Sequence, residues 1–251
     1  MATKRKTILI TGASSGLGKG MALEFAKMGR DLALCARRVD RLEILKQELL
    51  QLNPNIKVSI KALDVNQHQA VFAVFDEFKL EFGQLDRIIL NAGMGKGASI
   101  GSGHFEANKQ TAETNFVALL AQAEAAMAIF RKQNAGHLVT ISSVSAVRGF
   151  RRAMTVYAAT KAAVTSLTEG IRIDVMYTPI KVSCIHPGFI RSELNEQVEK
   201  VPFIVDTDVG CRAMVAAIEA ERASSFVPRW PWAALNWLLR ITPSRWIRQM
   251  S

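Results

Sequence analysis

Cysteine is scarce in this chain: Cys35, Cys184 and Cys211 are odd in number and far apart. That excludes a disulfide scaffold and fits a reducing compartment. Tyrosine is scarcer, with two in 251 residues. No run approaches the roughly 20 apolar residues that span a bilayer. The basic start "MATKRKTILIT" has only the short apolar run Ile8–Ile10 before Gly12, too little for a secretory signal core. These absences lead to the expectation of a cytoplasmic protein. Internal repeats and low-complexity linkers are also missing, so a single domain over residues 1–251 is expected.

Acidic residues are missing from one region altogether. None follows Glu221, although the chain as a whole carries 22 of them against 32 basic residues, a net charge of +10. Such an excess suits nucleic acid, an anionic membrane surface or a phosphate-bearing small molecule. The charges are dispersed except at residues 131–133, at "RGFRR" (148–152) and in the arginine-only tail. No nucleic-acid motif accompanies them, so nucleic acid is not an expected partner.

What is present is alternation. Short β-rich runs at 7–11, 31–36, 57–63, 87–92, 137–142 and 181–187 are separated by helix-length periodic segments. Strands that are nearly continuous in apolar residues are buried on both faces, so the expected fold is α/β, with a doubly wound parallel sheet between helix layers. Residues 189–225 read as a substrate-side cap and 226–251 as a Trp/Arg-rich tail.

"TGASSGLG" follows the first strand and opens the first helix. Gly12, Gly16 and Gly18 permit a tight turn in which backbone N–H groups approach a pyrophosphate. Their spacing, G-x-x-x-G-x-G, differs from the commoner G-x-G-x-x-G fingerprint. At the end of the second strand an acid would hold the ribose hydroxyls of NAD, whereas arginine suits the 2′-phosphate of NADP. Here "CARRVD" places Arg37 and Arg38, which favours NADP(H).

"YAATK" places Tyr157 and Lys161 one helical turn apart on one face. A tyrosine with pKa ~10 needs a downward shift to act as an acid–base group near neutrality, and a nearby cation supplies it. Together with "NAG" (91–93), "ISS" (141–143) and "HPG" (186–188), these motifs resemble the short-chain dehydrogenase/reductase family over roughly residues 5 to 195. The resemblance implies a Rossmann-like sheet of seven parallel strands, a nicotinamide cofactor, and hydride exchange between a small-molecule carbonyl and an alcohol. It implies Tyr157 as proton donor, Lys161 as its tuning partner and ribose contact, and Asn115 as holder of a relay water. It also implies a serine near the end of the fifth strand; Ser143 matches, with Ser142 and Ser145 as alternatives. Cofactor contacts are implied at Gly12, Ser14, Ser15, Gly16, Leu17, Gly18, Arg37, Arg38, Asp64, Val65, Asn91, Ala92, Gly93, Tyr157, Lys161, Pro187, Gly188, Ile190 and Ser192. Read without the resemblance, Asn115 and Asp64 would be helix caps. His186 has no neighbouring ligand types, so no metal site is expected.

Residues 94–105, 145–154 and 189–205 are expected to wall the substrate pocket. Arg148, Arg151 and Arg152 are read as solvated or as contacts to an anionic group, and Phe105, Phe150, Phe189 and Phe203 suit an apolar substrate. Pro231 fits the first turn of a helix that Pro243 would stop. Between them only Asn236 and Arg240 form a polar stripe, beside Trp232, Leu235, Trp237, Leu238 and Leu239. Such a tail packs on its own or a neighbouring subunit, lies in an anionic membrane surface, or roofs the site. The resemblance also implies a homodimer or homotetramer through helices near 108–133 and 156–176. Two non-enzymatic readings, a dinucleotide-sensing protein and a membrane-bound scaffold, would not need the full set of Ser143, Tyr157, Lys161 and Asn115.

Overall fold

The structure, a computed structural model, describes residues 5–191 and 203–250. Five buried residues form β1 (Thr7–Thr11), followed by α1 (Gly16–Lys27), β2 (Asp31–Ala36), α2 (Val39–Leu52), β3 (Val58–Ala62), α3 (His68–Phe82) and β4 (Arg87–Leu90). The second half runs through α4 (Phe105–Ala112), a π-helical turn (Glu113–Val117), α5 (Ala118–Gln133), β5 (His137–Ile141), a 3-10 turn (Val144–Val147), α6 (Met154–Asp174) and β6 (Lys181–Pro187). It closes with α7 (Thr207–Glu219), β7 (Ser224–Val227), α8 (Arg229–Ile241) and α9 (Ser244–Met250).

Among the described residues the strands form one seven-stranded sheet in the order β3-β2-β1-β4-β5-β6-β7. Every pairing is parallel, with Leu9 opposite Ala33 on one side and Ile88 on the other. Side chains alternate between faces. Ile8 and Ile10 pack with Met21, Phe25, Leu42 and Met214, so α1, α2 and α7 cover one face. Leu9 and Ile88 pack with Phe75, Phe78, Phe130 and Val164, so α3, α5 and α6 cover the other. This doubly wound, Rossmann-like architecture matches the expectation. The strand order reverses at β1, between β2 and β4, and such a switch point is where ligands meet the carboxyl ends of parallel strands.

The region read as a cap needs correction. Most of its described part is scaffold, because α7 packs along α1 through Cys211, Met214, Val215 and Ile218, and β7 completes the sheet. The tail is partly scaffold as well. Arg148 was read as solvated or anion-binding, but it donates to the Leu239 carbonyl (2.8 Å), to the Thr242 carbonyl and to Ser244 Oγ (3.4 Å). A guanidinium at the last carbonyls of α8 satisfies orphan acceptors and complements the helix dipole. The 145–154 loop is thereby fixed to the tail across more than ninety residues of sequence.

Arg148→Met keeps the aliphatic stem but removes these donors. It is expected to destabilise the protein by about 1–2 kcal/mol, in the range of a lost helix cap. The checks are a lower Tm and faster limited proteolysis between α8 and α9, with the sheet's circular dichroism unchanged.

Candidate active site

The site is built where strands end. After β1 the chain turns at Gly12 and Gly16, with φ of 65° and 53°. A Cβ on Gly12 would lie 2.9 Å from Ala92 Cα, and one on Gly18 would lie 2.3 Å from the Gly12 carbonyl oxygen. Only glycine permits both approaches. Thr11 Oγ1 accepts from the Asn91 and Ala92 amides (3.1 Å each), and Asn91 Nδ2 donates to the Thr11 carbonyl (3.0 Å). These bonds fasten the loop after β1 to the end of β4. Thr11 was missed from the sequence, although its place just ahead of the glycine run was a signal.

Ser14, Ser15 and Leu17 are half-buried in the same loop. Ser15 stands at the cap position of α1, but its side chain makes no cap bond; Ser15 Oγ accepts from Arg38 at 2.7 Å. The first N–H groups of α1 therefore keep their capacity for an anion. Arg38, half-buried, opens α2 beside the loop, while Arg37 is exposed at the end of β2. Asp64 does not cap α3. Its Oδ1 accepts from Asn66 N (3.0 Å) and Nδ2 (3.1 Å), closing a turn before the helix, with Val65 buried beside it.

The second cluster lies at the end of β5. Lys161, on α6, is buried and donates through Nζ to the Ile141 carbonyl at 2.9 Å. Its Nζ stands 5.8 Å from the Tyr157 ring centroid. Tyr157 shares a side-chain hydrogen bond with Ser143. The three candidate serines separate clearly. Ser142 donates to the Lys161 carbonyl (2.9 Å) and meets Thr165 Oγ1, so it is engaged with α6. Ser145 donates to Ser143 Oγ at 2.9 Å, which leaves Ser143 beside the phenol.

Asn115 is fully buried and is not a helix cap: it lies inside the π-helical turn. Its Oδ1 accepts from the Met94 amide and its Nδ2 donates to the Met94 carbonyl, both at 2.8 Å, with a weaker bond to Thr160 Oγ1 (3.3 Å). A Cβ on Gly93 would stand 3.2 Å from Asn115 Oδ1 and 3.6 Å from Lys161 Nζ, so the backbone after β4 passes directly over this cluster. Thr160, unremarked in the sequence, also donates to the Tyr157 carbonyl.

The electrostatics overturn one expectation. Lys161 was expected to draw the Tyr157 pKa down. Burial instead raises it, with the Ser143 hydrogen bond opposing only in part. The same burial pulls the Lys161 ammonium down to about 8. Desolvation penalises both charged forms, and here it outweighs a lysine held away from the ring against a carbonyl.

At the end of β6, Pro187 is buried, Gly188 donates its amide to the Val227 carbonyl (2.8 Å), and Ile190 is buried against Gly210. Ser192 lies outside the described residues. The tail reaches this point. The Trp232 indole sits where a Cβ on Gly188 would be, 2.0 Å from that position, and meets Phe189 edge-on at 5.3 Å. Trp232 Nε1 is buried without a hydrogen-bond partner among the described residues. Phe105 and Phe203 are largely exposed, whereas Phe150 and Phe189 are half-buried.

A doubly wound sheet whose strand ends carry a glycine loop and a Ser–Tyr–Lys cluster defines an oxidoreductase scaffold. The short chain dehydrogenase family's sequence pattern matches residues 6–202. An uncharacterized oxidoreductase of Mycobacterium tuberculosis is 51% identical over 247 residues, covering 98% of each chain. The NADP-dependent 3-hydroxy acid dehydrogenase of Schizosaccharomyces pombe is 31% identical over 192 residues, 76% of this chain and 73% of its own. Levodione reductase has a similar fold, with a TM-score of 0.80 at 24% identity over 89% of this chain and 95% of that one. The chain belongs to the short-chain dehydrogenase family and is an oxidoreductase of it.

The burial of Lys161 has a direct consequence. With lysine side chains isotopically labelled and followed by NMR, Lys161 is expected to lose its proton around pH 8. A midpoint at the ordinary value of 10.5 would contradict the geometry.

Proposed function

We propose that this protein is an NADP(H)-dependent reductase of apolar carbonyl compounds, working reversibly with the corresponding alcohols. The observation that carries the reading is the convergence of Ser143, Tyr157 and Lys161 at the end of β5, beside a glycine loop that admits no Cβ.

The residues fit a nicotinamide dinucleotide. Gly12, Ser14, Ser15, Gly16, Leu17 and Gly18 would hold its pyrophosphate on the N–H groups of α1, with Asp64 and Val65 near the adenine. Asn91, Ala92 and Gly93 would line the ribose side, and Pro187, Gly188 and Ile190 the nicotinamide side. Arg38 beside Ser15 supports a 2′-phosphate contact, with Arg37 on the exposed flank. When bound, the cofactor supplies or accepts the hydride.

The chain's own residues handle the oxygen and its proton. Ser143 donates a hydrogen bond to the carbonyl oxygen and orients it. Tyr157, kept protonated at neutral pH by its burial, transfers the phenol proton to that oxygen as negative charge develops there. Lys161 carries positive charge below about pH 8 and stabilises the phenolate left behind. Asn115 is a positioning residue whose side chain clamps Met94 and Thr160, and it would hold the water of a proton relay to Lys161. A raised tyrosine pKa suits reduction, because an acid must hold its proton until it is needed. Alcohol oxidation needs the phenolate, so its rate should climb as pH rises from neutrality.

Two measurements test this. Tyr157→Phe should abolish NADPH-coupled turnover across a carbonyl panel while NADPH still binds; a variant that keeps most of its kcat would remove Tyr157 from the chemistry. A charge-assisted hydrogen bond is worth ~1.5–3 kcal/mol, so Arg38→Ala should lower the NADPH-to-NADH efficiency ratio about ten- to hundredfold, and Arg37→Ala should also lower it. If both variants leave the ratio unchanged, the cofactor preference is wrong.

A further inference from the structure

Helix α8 turns its two sides to different surroundings. Trp232 and Asn236, 5% and 7% exposed, face the protein together with half-buried Leu235 and Leu239. On the opposite side Trp237 (66%), Leu238 (49%) and Ile241 (61%) stand at helical neighbour positions in solvent. Trp230 precedes them at 79% and Trp246, on α9, follows at 56%. Five large apolar side chains within seventeen residues are far more than the scattered singles of an ordinary surface.

Their neighbours are basic. Arg229, Arg240, Arg245 and Arg248 are exposed, and none forms an ion pair among the described residues. Arg245 and Arg248 line an open depression with Ser244, Gln249 and Arg151 from the 145–154 loop. No carboxylate side chain exists in the chain beyond Glu221 to neutralise them.

We propose that the outer face of α8 and α9 docks peripherally on an anionic lipid bilayer. Tryptophan and aliphatic side chains enter the interfacial zone, and the arginines meet headgroup phosphates. The charge pattern selects this occupant. In a two-fold contact with a second copy the patch would face itself, bringing arginines from both chains together with no acidic partner in the segment. The docking is superficial, since no helix among the described residues is long and apolar enough to cross a membrane. Arg148, which holds the end of α8, and Trp232, packed on Gly188, make the surface rigid with the site wall.

Co-sedimentation of the full chain with vesicles tests the proposal without reference to catalysis. Vesicles of phosphatidylcholine with phosphatidylglycerol should bind the protein, and more weakly at high salt; vesicles of phosphatidylcholine alone should bind much less. The double variant Trp237→Ser/Ile241→Ser should lose at least about tenfold in affinity, from the apolar area it gives up. Arg245→Ser/Arg248→Ser should flatten the salt dependence. Both pairs are exposed, and unchanged melting verifies that each variant is folded. Failure of the intact protein to bind anionic vesicles, or equal binding by the variants, overturns the docking. So does a dimer that dissociates in the Trp237/Ile241 variant without any vesicle binding, which gives the face to a second copy. None of these outcomes bears on the reductase reading, which stands or falls with Tyr157→Phe.

Discussion

The reciprocal attachment of α6 to the end of β5 sets the dimensions of everything around it. Lys161 Nζ donates to the Ile141 carbonyl, and Ser142, the next residue, donates back to the Lys161 carbonyl. A strand end and a helix middle are thus joined by two bonds in opposite senses, both removed from solvent. That fixes which serine faces the tyrosine, because Ser142 is spent on the joint and Ser143 is the next side chain along. It also fixes the lysine's electrostatics. An ammonium held by one carbonyl in a dry setting loses more solvation than it regains, so its proton is weakly held. Lys161 is buried for architecture and becomes titratable near physiological pH as a result.

How far the sequence could be read follows from the range of the interactions involved. β1, β2, β5 and β6 are rich in apolar and β-branched residues because both of their faces are covered, so local composition is enough to find them. β7, "SSFV", is a four-residue edge strand beginning with two serines, and nothing local distinguishes it from the loops around it. The glycine positions were legible because the tight turn after β1 demands positive φ at Gly12 and Gly16, although the Ala92 that a Cβ on Gly12 would meet lies far along the chain. Asn115 could be located but not understood: its partner Met94 is 21 residues away, and the π-helical turn that points it there has no signature in the residues themselves. The Tyr157 shift came out with the wrong sign because spacing reports that two groups are neighbours, whereas the sign depends on how dry the neighbourhood is.

The tail shows the same limit from another side. Its composition announced an amphipathic helix between two prolines, and α8 is one. Composition could not say which side turns inward. Intuition assigns Asn236 to water and the tryptophans to the core, yet Asn236 is buried and Trp237 exposed. The outcome is decided at Gly188. Without a side chain there, the end of β6 accepts a large planar group, and the Trp232 indole enters. Once it does, the 3.6-residue period carries Asn236 inward and Trp237, Leu238 and Ile241 outward.

Charge completes the picture, because the net +10 is not spread evenly in its effect. At the amino ends of the strands, Arg5, Arg30 and Arg87 are buried and meet Glu219 and Glu221, with His137 accepting from Arg87 and kept neutral by burial. The three arginines share these two carboxylates and tie the strand ends to the end of α7. At the carboxyl ends lie Arg37 and Arg38 by the glycine loop, then the tail arginines beyond β7, in a segment without any Asp or Glu. The fold thus sorts its basic residues into those that hold the sheet together and those that can attract phosphate. This segregation, rather than the total, decides what a basic protein of this kind can bind.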